Sequence, residues 1–143
     1  MYLLASFGWL VVLLNTYYKR CVMNTCELRQ FAAENGWGPC AHGDPQNHHI
    51  LPRSLLRNNK DAKKLVEETY GDILMAQVCA YHNAGDGNQK CADTPGARAW
   101  LIQKRIDEHG ESVIRTILDD VRLTFKSHSD RAALELDAIL SRG

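Results

Sequence analysis

The chain has 143 residues and a formal net charge of zero, with 45% hydrophobic and 24% charged residues. That length supports one domain with a real core and not two, and the ordinary composition excludes collagenous, low-complexity and wholly disordered classes. With no net charge, attraction to an anionic partner has to come from local patterning.

The first segment, Leu3 to Leu14, is apolar apart from Ser6 and is followed by Lys19 and Arg20. It falls short of the roughly 20 apolar residues a membrane span needs. It also lacks the basic start and the small-residue cleavage site of a secretory signal. Three readings stand: a weak anchor, a buried helix or strand, or a start placed too early, with translation beginning at Met23. The third is favoured, because the segment has no caps, differs in composition from the rest of the chain, and Met23 sits just before the first motif cysteine, Cys26. Residues 1–22 are therefore set aside as an N-terminal extension, and membrane association is not expected.

Cys26 to Asn35 predicts a short helix with Leu28, Phe31 and Ala32 on one face and Gly36 as its stop. Gly36 to Asn47 is punctuated by glycine and proline and predicts a loop. His48 to Leu51 is a brief extended run ended by Pro52. Asp61 can cap a helix running to Tyr70, with Leu65 and Val66 inward and Gly71 as terminator. Ile73 to Cys79 predicts a strand, and Asn83 to Asp93 a polar loop or turn. Ala97 to His109 predicts a helix with Trp100, Leu101 and Ile102 in its apolar stretch, Trp100 being assigned to the core. Glu111 to Phe125 predicts another, with Val113, Ile117 and Val121 at fourfold spacing. Ser127 and Asp130 can open a last helix to Leu140. The organisation is a cysteine- and histidine-rich domain over residues 23–109 and a helical tail over 110–143, whose apolar faces can pack on the domain or form a homodimer.

Charge is uneven along this framework. From His49 to Lys64 there are five basic residues (Arg53, Arg57, Lys60, Lys63 and Lys64) against the single acid Asp61. From Asp107 to the end there are eight acids against five basic residues. The basic stripe is either a solvated helix face or a track for a polynucleotide backbone. Arg53, just after Pro52, can clamp a phosphate with two hydrogen bonds or be an ordinary surface arginine.

The five cysteines are Cys21, Cys26, Cys40, Cys79 and Cys91, an odd number that does not complete a disulfide framework. Mixed with His42, His48, His49 and His82, they point to zinc first. Cys79-x-x-His82 has knuckle spacing, in which one tight turn aims both side chains at one ion. Cys40 and Cys26 supply the other two ligands; Cys91, His42 or, more remotely, Cys21 can replace Cys26.

His48-His49 has a different logic. Adjacent strand residues point to opposite faces, so one imidazole can face a metal while the other faces a water or the scaffold. Phosphodiester hydrolysis needs a base near neutral pH and a cation at the phosphate. The pair is followed by Ile50-Leu51-Pro52-Arg53-Ser54 and, about 30 residues on, by Cys79-Ala80-Tyr81-His82-Asn83.

This pattern resembles the HNH endonuclease family over roughly Cys26 to Trp100. The resemblance implies an α+β fold: a zinc-stapled ββα-metal core, made of a β-hairpin plus a helix, with additional N- and C-terminal helices. It implies a hydrolase acting on DNA phosphodiester bonds, with His49 as general base and His48 and Asn83 as ligands of a catalytic ion, Mg²⁺ or Mn²⁺. Cys26, Cys40, Cys79 and His82 match the structural Zn²⁺ positions, His82 replacing the more usual cysteine. Asp72 or Gln77 stands nearest the family's base-orienting asparagine, and Asp86 or Asp93 can support the ion. A short chain of this kind resembles phage nucleases, so the expected partner is DNA, the expected place the host cytoplasm, and no small-molecule cofactor is expected. A non-catalytic zinc-binding module for nucleic acid or protein is the alternative.

Overall fold

The computed structural model describes residues 26–57, 59–85, 91–125 and 138. The apolar N-terminal segment, Cys21, Met23, Asp86 and nearly all of the expected last helix lie outside the described residues. In chain order the elements are α1 (Arg29–Glu34), β1 (Gln46–His49), α2 (Arg53–Leu56), α3 (Lys60–Lys64), a π-helical continuation of α3 (Leu65–Thr69), α4 (Gly71–Leu74), β2 (Met75–Val78), α5 (Ala80–Ala84), α6 (Pro95–His109) and α7 (Glu111–Leu123). The architecture is mixed α and β, with one two-stranded antiparallel sheet among the described residues. No helix among them is long and apolar enough to cross a membrane.

The sheet register is Gln46 opposite Val78, Asn47 opposite Gln77, His48 opposite Ala76 and His49 opposite Met75. Partners share a face and neighbours alternate. One face therefore carries Gln46, His48, Ala76 and Val78, and the other carries Asn47, His49, Met75 and Gln77. His48, Ala76 and Val78 are buried, whereas Gln77 is exposed. The expected opposition of His48 and His49 is a direct result of this register.

The expected strand from Ile73 begins later, at Met75. Ile73 and Leu74 instead close a helical turn, both N–H groups donating to the Tyr70 carbonyl. The outer edge of β2 is finished by two side chains. Arg105 donates to the Ile73 and Met75 carbonyls at 2.7 and 3.0 Å. Glu27 pairs with Gln77 twice, its N–H donating to the Gln77 carbonyl and its carboxylate accepting the Gln77 N–H, both at 2.8 Å. The outer edge of β1 has no strand partner among the described residues.

Helix caps and faces depart from the sequence reading at three points, the first being that Gly71, expected as a stop, is the first residue of α4. Asn59, not Asp61, caps α3: its side chain accepts the Ala62 N–H at 3.0 Å and donates to the Thr124 carbonyl. Asp61 sits in the first turn, where its charge suits the helix N-terminus. On α7 the buried stripe is Ile114, Ile117, Leu118 and Val121, while Val113 is exposed. A fourfold spacing drifts by about 40° at each step of a helix with 3.6 residues per turn, which carries Val113 off the buried face. Trp100 is half-buried, its ring 6.1 Å from that of Phe31, as a core-edge residue should be.

Candidate metal centre and the His48–Asn83 pair

Cys26, Cys40, Cys79 and His82 come together, their ligand atoms all within 4.8 Å of one another, and the group could hold a metal ion. Three separate stretches supply it: the turn leading into α1, the loop before β1, and the start of α5. The His82 Nδ1 lies 3.3 Å from Cys79 Sγ, 3.6 Å from Cys26 Sγ and 3.7 Å from Cys40 Sγ. A tetrahedral zinc ion with bonds of about 2.3 Å to sulfur and about 2.0 Å to nitrogen sets sulfur–nitrogen separations of about 3.5 Å. Donor set and spacing therefore fit that ion. His82 Nε2 donates to the Gly38 carbonyl at 2.9 Å, which leaves Nδ1 with its lone pair toward the sulfurs. Burial pushes the Cys26 thiol up, and burial together with the neighbouring Cys26 and Cys79 sulfurs pushes Cys40 up to about 12. Crowded, buried thiols resist ionising one beside another, and a bound cation removes that resistance. Cys91 and exposed His42 lie outside the group, so Cys26 is the better fourth member.

The same helix builds the second arrangement. Cys79 Sγ accepts the His82 N–H at 3.4 Å and serves as the side-chain cap of α5. One residue beyond His82, Asn83 turns toward β1. Its Oδ1 lies 3.2 Å from His48 Nδ1, and its Nδ2 donates to Gln46 Oε1 at 2.8 Å. His48 is 7% exposed, and its Nε2 is buried without a hydrogen-bond partner among the described residues. A neutral imidazole has one N–H and one lone pair. If Nδ1–H donates to Asn83, the buried Nε2 lone pair is unmet. If Nδ1 carries the lone pair, it faces the amide oxygen with no hydrogen between them. A cation held between Nδ1 and Oδ1 answers the second case: adjacent octahedral ligands with bonds of about 2.1 Å lie about 3.0 Å apart, close to the 3.2 Å between these two atoms. Burial lowers the His48 pKa, against opposing effects from Asp93 and Asn83, and so favours the neutral ring that binds metals.

His49 takes its partner on the opposite face. Its Nε2 lies 2.8 Å from Glu67 Oε1, at the side of a polar groove of about 800 Å³ that Glu27, Asp72, Gln77 and Arg105 also line. The structure thus brings His48 to Asn83 and does not bring His49 to that amide. Gln77 bonds the Asn47 side chain across the sheet instead of His49. Asp93 pairs with Arg98 at 2.9 Å, and both charges act on His48. Arg53, Arg57, Lys60, Lys63 and Lys64 are all exposed on α2, α3 and the turn between them. Sequence reasoning missed Glu67, Gln46 and the Gly38 carbonyl, whose partners lie 18, 37 and 44 residues away along the chain. Compared with known proteins, the chain matches no family model, no curated protein and no solved structure.

Proposed function

We propose that the chain is a metal-dependent endonuclease of the HNH kind, hydrolysing DNA phosphodiester bonds around a ββα-metal unit made of β1, β2 and α5. The observation that carries this reading is the contact of His48 Nδ1 with Asn83 Oδ1, two donor atoms 3.2 Å apart, one residue along α5 from a Cys3His group suited to structural zinc. His48 and Asn83 hold a divalent ion, Mg²⁺ or Mn²⁺. When bound, that ion supplies positive charge to the phosphate and to the departing oxygen. His49 takes the proton from the attacking water as its oxygen bonds phosphorus, and the bond to the leaving ester oxygen breaks. Because the two imidazoles occupy opposite faces, they meet one phosphate only across the outer edge of β1, which has no strand partner among the described residues. Arg53, Arg57, Lys60, Lys63 and Lys64 neutralise the neighbouring backbone without reading bases. The resemblance to phage nucleases supports a role in phage DNA processing in the host cytoplasm.

Plasmid nicking tests this reading. The metal-loaded parent is expected to cut with Mg²⁺ or Mn²⁺, and His49→Ala to lose about 100- to 10,000-fold in rate. A folded, zinc-loaded parent that does not cut overturns it. A zinc-stapled binding module then becomes the better reading, favoured by the engagement of His49 with Glu67 away from Asn83.

A further inference from the structure

A general base has to present one lone pair in one direction. A histidine on a strand end has a ring free to turn and two neutral tautomers, so something has to choose among them. The residues nearest the family's orienting asparagine do not do so here, since Gln77 bonds Asn47 and Asp72 lines the groove without a bond to His49.

Glu67 touches the ring directly, with Oε1 2.8 Å from Nε2. It stands in the π-helical stretch that continues α3. The Tyr70 N–H there donates to the Leu65 carbonyl, five residues back, at 2.7 Å. Such wide turns cost helix stability and recur where a side chain's altered direction is used. Val66 is fully buried and anchors the turn in the core, while Glu67 reaches the groove beside it. A carboxylate at this distance repels a ring lone pair, so Nε2 carries the hydrogen and donates it.

We propose that Glu67 is the positioning residue for His49, accepting Nε2–H so that the lone pair stands at Nδ1 for the attacking water. This rests on the reading of His49 as general base. Glu67 itself touches neither water nor phosphate. It divides the work with His49 as the carboxylate does with the histidine of a hydrolase triad, although Glu67 is exposed where the triad carboxylate is buried.

The test uses the full, metal-loaded chain and two readouts. Long-range ¹⁵N–¹H NMR reports which ring nitrogen of His49 carries hydrogen, and steady-state kinetics separates kcat from KM. The parent is expected to show hydrogen on Nε2 held against solvent exchange by the carboxylate, and Glu67→Leu to lose that protected-proton signature. In the same variant kcat falls about tenfold or more with KM within about twofold of the parent, and Glu67→Gln, which keeps an acceptor oxygen, recovers much of kcat. A parent with hydrogen on Nδ1 overturns the proposal without recourse to any variant, and so does Glu67→Leu cutting at the parent's kcat. A parent that does not cut, yet shows the Nε2 signature that Glu67→Leu abolishes, overturns the nuclease reading while the contact stands.

Discussion

His82 and Asn83 are chain neighbours in one short helix, yet His82 Nδ1 lies among three sulfurs and Asn83 Oδ1 lies against His48. Consecutive helical residues diverge by about 100°, and α5 uses that angle to join a stapling group to a candidate catalytic pair.

Removing any sulfur of the group should therefore unsettle both. Cys26→Ser, Cys40→Ser and Cys79→Ser are each expected to lose the bound ion and most of the folded population, because binding of structural zinc is also folding free energy. Cys91→Ser, outside the group, should keep one ion per chain. Elemental analysis, with cobalt substitution to display the tetrahedral thiolate spectrum, checks this. Equal metal content in the Cys40→Ser and Cys91→Ser proteins would contradict it.

In the proposed nuclease site Asn83 would offer the divalent ion a neutral amide oxygen. Asn83→Asp should lower the Mn²⁺ concentration giving half-maximal cleavage by about tenfold, and Asn83→Ala should raise it by a similar factor. Titrating cleavage rate against Mn²⁺ for the three proteins reads the order directly.

Glu27 and Arg105 tie the start of the described chain to the sheet edge and α6. Burial alone would raise the Glu27 carboxyl, but hydrogen bonds from Arg105 and Lys104 more than reverse this and hold it at about 2, against an ordinary value of 4.5. The folded-state value is the lower one, so this stabilisation is complete above pH 4.5 and is lost as pH falls through about 2. A difference of that size is worth up to about 3 kcal/mol. Urea unfolding at a series of pH values should show an acid slope that flattens in Glu27→Gln. That variant should also be less stable at neutral pH, because Arg105, 4% exposed, keeps a buried charge with only the more distant Glu108 carboxylate, at 3.5 Å, to balance it.

Gly85 ends α5 with φ +73°, and a Cβ there would come within 2.8 Å of the Cys91 Cβ. Gly43 has φ +112° and open space around it. Gly43→Ala should cost only the backbone strain, about 1–2 kcal/mol. Gly85→Ala adds overpacking to that strain, for roughly 3 kcal/mol in all. Thermal unfolding of the two variants ranks them, and equal losses would refute the steric argument.

The parts readable from sequence were those set by local rules. The Cys79-x-x-His82 spacing is a property of one turn, and the opposition of His48 and His49 is a property of the pleat. The helix over Pro95–His109 is signalled by its apolar stretch and its stop at Gly110. What could not be read depends on which distant segments meet. Glu67 reaches His49 only because α3 widens into a π turn, which nothing in Leu65–Thr69 announces. Asn59 outcompetes Asp61 as the cap, and its amide also donates to the Thr124 carbonyl. Arg105 looks like one more charge on a surface helix, whereas its guanidinium takes two carbonyls and a carboxylate that lie 30 to 78 residues earlier.

Among the described residues the sheet is closed along β2 by Glu27 and Arg105 and open along β1. Main-chain recruitment of a further strand, whether from a foreign peptide or from another copy, has only the β1 side to use. On the nuclease reading proposed above, docking there would cover the edge at which a phosphate has to meet both imidazoles, and so act as a competitive block. On that same reading, oligomers built by edge pairing would be silent assemblies, and dilution would release working copies.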